Sequence, residues 1–402
     1  MKNEATLKYA GATTYSILFA ISISHMLNDV IQSVISAIYP MLKVNYGLSF
    51  AQIGIITLSY QLTASILQPF VGIYTDRRPF PRAVMFGMCF SLAGLLILAF
   101  GRTFHTILGA VSLVGVGSSI FHPEASRVAH LASGGKKGLA QSIFQVGGNL
   151  GSAIGPLLAA LIVVPLGQSY ISLFACLAIF AIIILGYVSN WYIGNMAPKP
   201  APGTSGSPAI ARRFSNATIA YSILILLLLM FSKFFYMASM TNYFTFFLIE
   251  KFHVTVQQSQ IYLFAFLAAV AAGTIAGGPI GDKYGRKIVI WASILGAAPF
   301  AMALPYVSLQ LTIVLAVIIG LLIASAFSAI LVYATELIPG KVGAIAGLFF
   351  GLSFGMGGIG SALLGWLADM RGIIYVFSIT PFLLLIGLVT WFLPNLEKRK
   401  AA

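Results

Sequence analysis

Gly278-Pro279-Ile280-Gly281-Asp282-Lys283-Tyr284-Gly285-Arg286-Lys287 interrupts two long uncharged apolar runs, and Gly72-Ile73-Tyr74-Thr75-Asp76-Arg77 does the same 206 residues earlier. At the same offset Gly151-Ser152-Ala153-Ile154-Gly155-Pro156-Leu157-Leu158 lies over Gly357-Gly358-Ile359-Gly360-Ser361-Ala362-Leu363-Leu364. The chain therefore reads as two repeats of one structural unit.

Outward from these markers the composition names the solvent. Of 402 residues 59% are apolar and only 8% charged, against about 25% charged in soluble chains. A water-soluble fold is excluded. Apolar stretches long enough to cross a bilayer fall at 15–40, 50–74, 83–100, 106–131, 139–163 and 169–192, then at 217–249, 257–280, 288–306, 309–334, 342–367 and 373–393. The prediction is an all-α integral membrane protein of twelve transmembrane helices in two pseudo-symmetric six-helix bundles. Its parts are a tail (1–14), a first bundle (15–193), a linker rich in Pro, Gly and Ser (194–213), a second bundle (214–394) and a tail (395–402). The first apolar run is too long for a signal-peptide core and is expected to be retained.

The net charge of +14 resembles a nucleic-acid signal, but its distribution argues otherwise. With the N-terminus inside, seventeen basic residues outside the spans fall on the cytoplasmic side and four (Lys43, Arg102, Lys251, Arg371) on the other. That bias places both termini and the linker in the cytoplasm and makes the lipid bilayer, not nucleic acid, the partner. Cys89 and Cys176 both lie in apolar runs, so no disulfide framework or CxxC site is available.

The stretch from Gly278 through Asp282, Lys283, Gly285, Arg286 and Lys287 matches the G-x-x-x-D-[RK]-x-G-[RK]-[RK] loop of the major facilitator superfamily. Gly72, Asp76 and Arg77 keep the first half of that pattern before a Pro-rich turn. In such a loop glycines permit close helix approach and a tight turn, and the acidic residue clasps two helices through a basic partner or a helix N-terminus; the alternative is a basic loop that fixes topology only. The fifth helix, Ser142-x8-Gly151-x3-Gly155-Pro156-x2-Ala159-Ala160, is similar to the pattern of drug/proton antiporters in this superfamily, although small residues also serve generic packing. Segments 24–33, 121–128, 141–149 and 231–239 extend the likeness along essentially the whole chain to bacterial transporters of the fosmidomycin resistance family. The resemblance implies proton-driven efflux of a small phosphonate antibiotic through the bacterial inner membrane by a monomer without a cofactor.

In lipid an ionisable side chain costs several kcal/mol unless paired or hydrated, so each one is a candidate site. Ser22, His25, Asp29, Gln32 and Ser36 share one face of the first helix. A carboxylate one turn from a histidine can carry a proton as a cavity wets and dries; equally, His25 and Asp29 can brace packing. In the fourth helix Glu124 and Arg127 are one turn apart, either to handle a proton and an anion or as a structural bridge. Many relatives carry an arginine earlier in this helix, where Val111 stands, so Arg127 does not inherit that role. Lys233, with Tyr236 on its face, is the second half's mid-membrane charge: an anion site, a snorkelling side chain, or a partner for Asp29. Gln141, Gln145 and Ser152 with Asn149 offer neutral hydrogen bonds for a substrate or for helix packing.

The proton-coupling set is thus Asp29, His25, Glu124 and Arg127, and the substrate set Lys233, Tyr236, Gln32, His122, Gln145 and Asn149. Glu250, His253, Asp369, Glu336 and His105 fall at span ends and are expected to have no role. Uptake of an organic anion by proton symport is the competing expectation. A membrane enzyme is disfavoured, because no HExxH or Walker loop is present, and no metal is expected.

Overall fold

The computed structural model describes residues 13–134, 137–195, 215–338 and 342–395. The expected linker and both tails lie almost wholly outside these. Among the described residues twelve helices are long and apolar enough to cross a membrane: α1 Tyr15–Ala37, α2 Phe50–Gly72, α3 Ala83–Phe100, α4 Phe104–Leu131, α5 Ser142–Leu166, α6 Gln168–Gly194, α7 Asn216–Phe252, α8 Val256–Ala276, α9 Arg286–Tyr306, α10 Leu309–Ala334, α11 Gly351–Arg371 and α12 Ile373–Phe392. Their number matches the prediction, and most ends agree within a few residues.

Local chemistry sets those ends. Ser49 and Gln52 form a reciprocal capping box that starts α2, and Thr103 with Thr106 starts α4 in the same way. Pro156 leaves α5 without one backbone donor, and a π-helical turn follows at Ala159–Val163. In the first half α1 packs on α5 and α6, and α4 on α2 and α3; in the second, α8 packs on α10 and α7 on α11 and α12. Large apolar side chains such as Phe70, Ile183, Leu224 and Trp391 point outward, as lipid requires.

The halves meet where α2 runs along α11 and α5 along α8. Glycine makes the first seam possible: a Cβ on Gly54 would stand 2.6 Å from the Ser361 carbonyl oxygen. At the end of the bundle away from Tyr15 and Phe392 the seam is tied by hydrogen bonds. The Asp369 carboxylate, at the end of α11, accepts from the backbone N–H of Phe50 at 2.8 Å and of Ala51 at 2.7 Å. Gln260 of α8 donates to the Ala37 carbonyl at 2.6 Å, and the Phe50 and Phe246 rings meet edge to face. Asp369 is thus a helix cap supplied by the opposite half, at a helix end where a negative charge is worth about 0.3–1 kcal/mol. This corrects the expectation that it has no role.

Candidate functional site

The site begins with a packing constraint. A Cβ on Gly147 would lie 2.0 Å from the Ser22 carbonyl oxygen, one on Gly151 2.2 Å from that of Met26, and one on Gly155 1.9 Å from Ser33 Oγ. Gly147, Gly151 and Gly155 share a face of α5 and let it lie directly on α1. Ser22 Oγ and Ser33 Oγ seal the contact by donating to the carbonyls of Ile143 and Gly151. Beside them Gly148 faces the polar residues of α1, where a Cβ would meet His25 Cε1 at 2.4 Å and Asp29 Oδ2 at 2.9 Å. Gly148→Val is therefore expected to displace the His25 ring at an overpacking cost of about 1–3 kcal/mol. It should lower the melting temperature and abolish transport, both readable on purified and reconstituted protein.

On this floor three side chains converge. His25 Nε2 lies 3.5 Å from Asp29 Oδ2, and His122 Nε2, from α4, lies 3.7 Å from Asp29 Oδ1. The opposite ring nitrogens are committed elsewhere: His25 Nδ1 is 2.8 Å from the Phe144 carbonyl and His122 Nδ1 3.0 Å from that of Ser118. A carbonyl only accepts, so each Nδ1 carries a hydrogen, and in its neutral form each ring turns an Nε2 lone pair toward the carboxylate. Lone pairs facing an anion repel until a proton is added between them. Asn28 Nδ2 at 3.1 Å and Ser152 Oγ at 3.5 Å also donate to Asp29. The His25 ring stacks on Phe144 and meets the His122 ring edge to face.

The ligating atoms of His25, Asp29 and His122 lie within 4.8 Å of one another. Donors around a tetrahedral ion stand about 3.4 Å apart, so the arrangement is looser than a formed metal centre and lacks a fourth strong ligand. It suits a proton better.

The grouping differs from the sequence expectation in one respect: His122 joins Asp29 rather than standing apart as a substrate residue. Glu124, two residues on from His122 and 1% exposed, instead holds Arg127, whose Nη1 is 3.4 Å from Oε1. Both of these residues make further contacts. Gln32 accepts a hydrogen bond from the Tyr60 hydroxyl of α2, while its Nε2 is buried without a partner, as is Asn149 Nδ2. Gln145 is half-buried one turn from Asn149; the side chain of Gln141 lies outside the described residues.

In the second half Lys233 is buried on α7. Its Nζ reaches the Ala324 carbonyl at 3.5 Å and faces the rings of Phe234 and Phe327 at 5.3 and 5.6 Å. No ion pair joins it to Asp29 or to any other described carboxylate, which removes one of the three alternatives, a pairing with Asp29 across the interface. Tyr236, one turn on, is likewise buried.

The repeated loops prove largely helical. The helix containing α2 continues to Arg77 and that containing α8 to Tyr284, so the second break falls at Gly285, whose φ of 95° suits glycine. Gly72 has open space around it and does not serve a close approach. Arg286 Nε lies 3.7 Å from Glu336 Oε1, and Lys287 Nζ donates to the carbonyls of Trp391 and Leu393 at 2.8 and 2.5 Å. These basic residues fasten the start of α9 to the ends of α10 and α12 within one half, which gives Glu336 a partner that the sequence did not suggest. The side chains of Asp76, Arg77, Gly278, Asp282 and Lys283 lie outside the described residues.

Twelve membrane-crossing helices in two pseudo-symmetric halves, with a few ionisable groups buried among them, define a membrane transporter of small molecules rather than an enzyme. The chain belongs to the Major Facilitator Superfamily, whose model matches residues 21–246 and 224–402. It is 54% identical over 385 residues, 95% of this chain and 94% of that protein, to the fosmidomycin resistance protein of Escherichia coli (strain K12). Identity to the uncharacterized MFS-type transporter YfnC of Bacillus subtilis (strain 168) is 43% over 400 residues, 98% of this chain and 97% of that protein. The fold resembles a bacterial homolog of the human lysosomal transporter Spinster, with a TM-score of 0.79 at 16% identity over 95% of this chain and 97% of that one. It also resembles the nucleoside transporter NupG, with a TM-score of 0.72 at 16% identity over 94% of this chain and 98% of that one.

Proposed function

We propose that the protein is a proton-coupled antiporter that exports a small anionic compound of the fosmidomycin phosphonate type across the bacterial inner membrane. Both termini face the cytoplasm, and the monomer suffices. The observation that carries this reading is the triad His25, Asp29 and His122, in which two rings hold Nδ1 on backbone carbonyls and turn Nε2 toward one carboxylate, a place where a proton can be shared. Lys233 supports an anionic cargo, because a buried ammonium without a carboxylate partner gains most from an incoming anion. The resistance named for the 54% identical relative supports the direction and the chemical class.

Inverted membrane vesicles energised by respiration test it. Accumulation of fosmidomycin that collapses on adding an uncoupler is expected. Accumulation indifferent to the uncoupler overturns proton coupling, and uptake by cells rather than vesicles would reverse the direction to symport.

A further inference from the structure

We infer that Tyr60 is a positioning residue, orienting the Gln32 amide toward the substrate; the inference rests on the proton-coupled export proposed above. Tyr60 stands on α2, a helix from which the sequence supplied no candidate for proton coupling or substrate binding. Its hydroxyl donates to Gln32 Oε1. With the carbonyl oxygen engaged, the amide's hydrogens remain, and Nε2 is buried with no acceptor. Such a donor is costly to bury unpaired, so it is set for an acceptor that arrives from outside. Asn149 Nδ2 on α5 is a second donor in the same condition. Two waiting donors suit a ligand whose rim is all acceptor, as a phosphonate's is.

Gln32 stands one turn from Asp29 on the face of α1 that carries the triad, so the amide that Tyr60 holds lies beside the carboxylate proposed to carry the proton.

Equilibrium binding of fosmidomycin to the purified full-length protein tests this. Tyr60→Phe keeps the ring and is expected to raise Kd about tenfold while leaving the melting temperature unchanged. Gln32→Leu should weaken binding as much, and the Tyr60→Phe/Gln32→Leu double variant no further, since both remove one device. Wild-type affinity in Tyr60→Phe, or additive losses in the double variant, would each overturn the inference while leaving the export reading intact. Should the wild-type protein not bind fosmidomycin, both fall.

Discussion

In the Asp29→Asn variant, uncoupler-sensitive accumulation of fosmidomycin in inverted vesicles falls to background, while exchange of labelled for unlabelled drug at equilibrium continues. Asparagine has nearly the shape of aspartate and can keep the contacts with Asn28 and Ser152. It lacks the charge that two imidazole rings surround. Without that charge a proton added to either ring is an uncompensated cation inside the membrane, at a cost of several kcal/mol, so the proton no longer rides through the cycle. Exchange needs only the substrate-loaded carrier to change sides and is spared. Loss of both activities would instead make Asp29 part of the scaffold, and retention of both would remove it from the coupling set.

Lys233→Met gives the second large effect. Methionine fills much the same volume without charge, so packing against Phe234 and Phe327 is largely preserved. If the ammonium meets an anionic substrate, the lost charge-assisted bond is worth about 1.5–3 kcal/mol, which raises Kd for the phosphonate by about 10–100-fold. The empty protein should become more stable, because a buried charge with only one long carbonyl contact is replaced by an apolar side chain. Binding and thermal unfolding measured on the same preparation check both signs. Unchanged affinity with a lowered melting temperature would mean that the lysine braces the bundle.

The membrane frame was legible because it is written locally. Uncharged runs fix the twelve spans, and the 3/4 spacing of Ser22, His25, Asp29 and Gln32 places them on one face of α1. What escaped is what only helix packing decides. Pro123 stands inside α4, where a proline can kink or end a helix, yet the helix runs unbroken from Phe104 to Leu131 and carries His122 to Asp29. Tyr60 was overlooked although Ser59, Gln61, Thr63 and Ser65 surround it with polar residues unusual in a span. Asp369 looked idle because its partner is the backbone of a helix 318 residues away in sequence.

The glycine floor beneath the triad has a mechanical corollary. Because α1 and α5 touch backbone to side chain with no room for a methyl group between them, they cannot slide past each other and travel as one block, bringing the carboxylate with them. The ammonium rides on α7, in the other block. Whenever the two blocks tilt, each charge keeps its own surroundings while the gap between them widens or narrows, much as between the plates of a variable capacitor. The same tilt that exposes cargo to one side therefore also changes the electrical work of holding it.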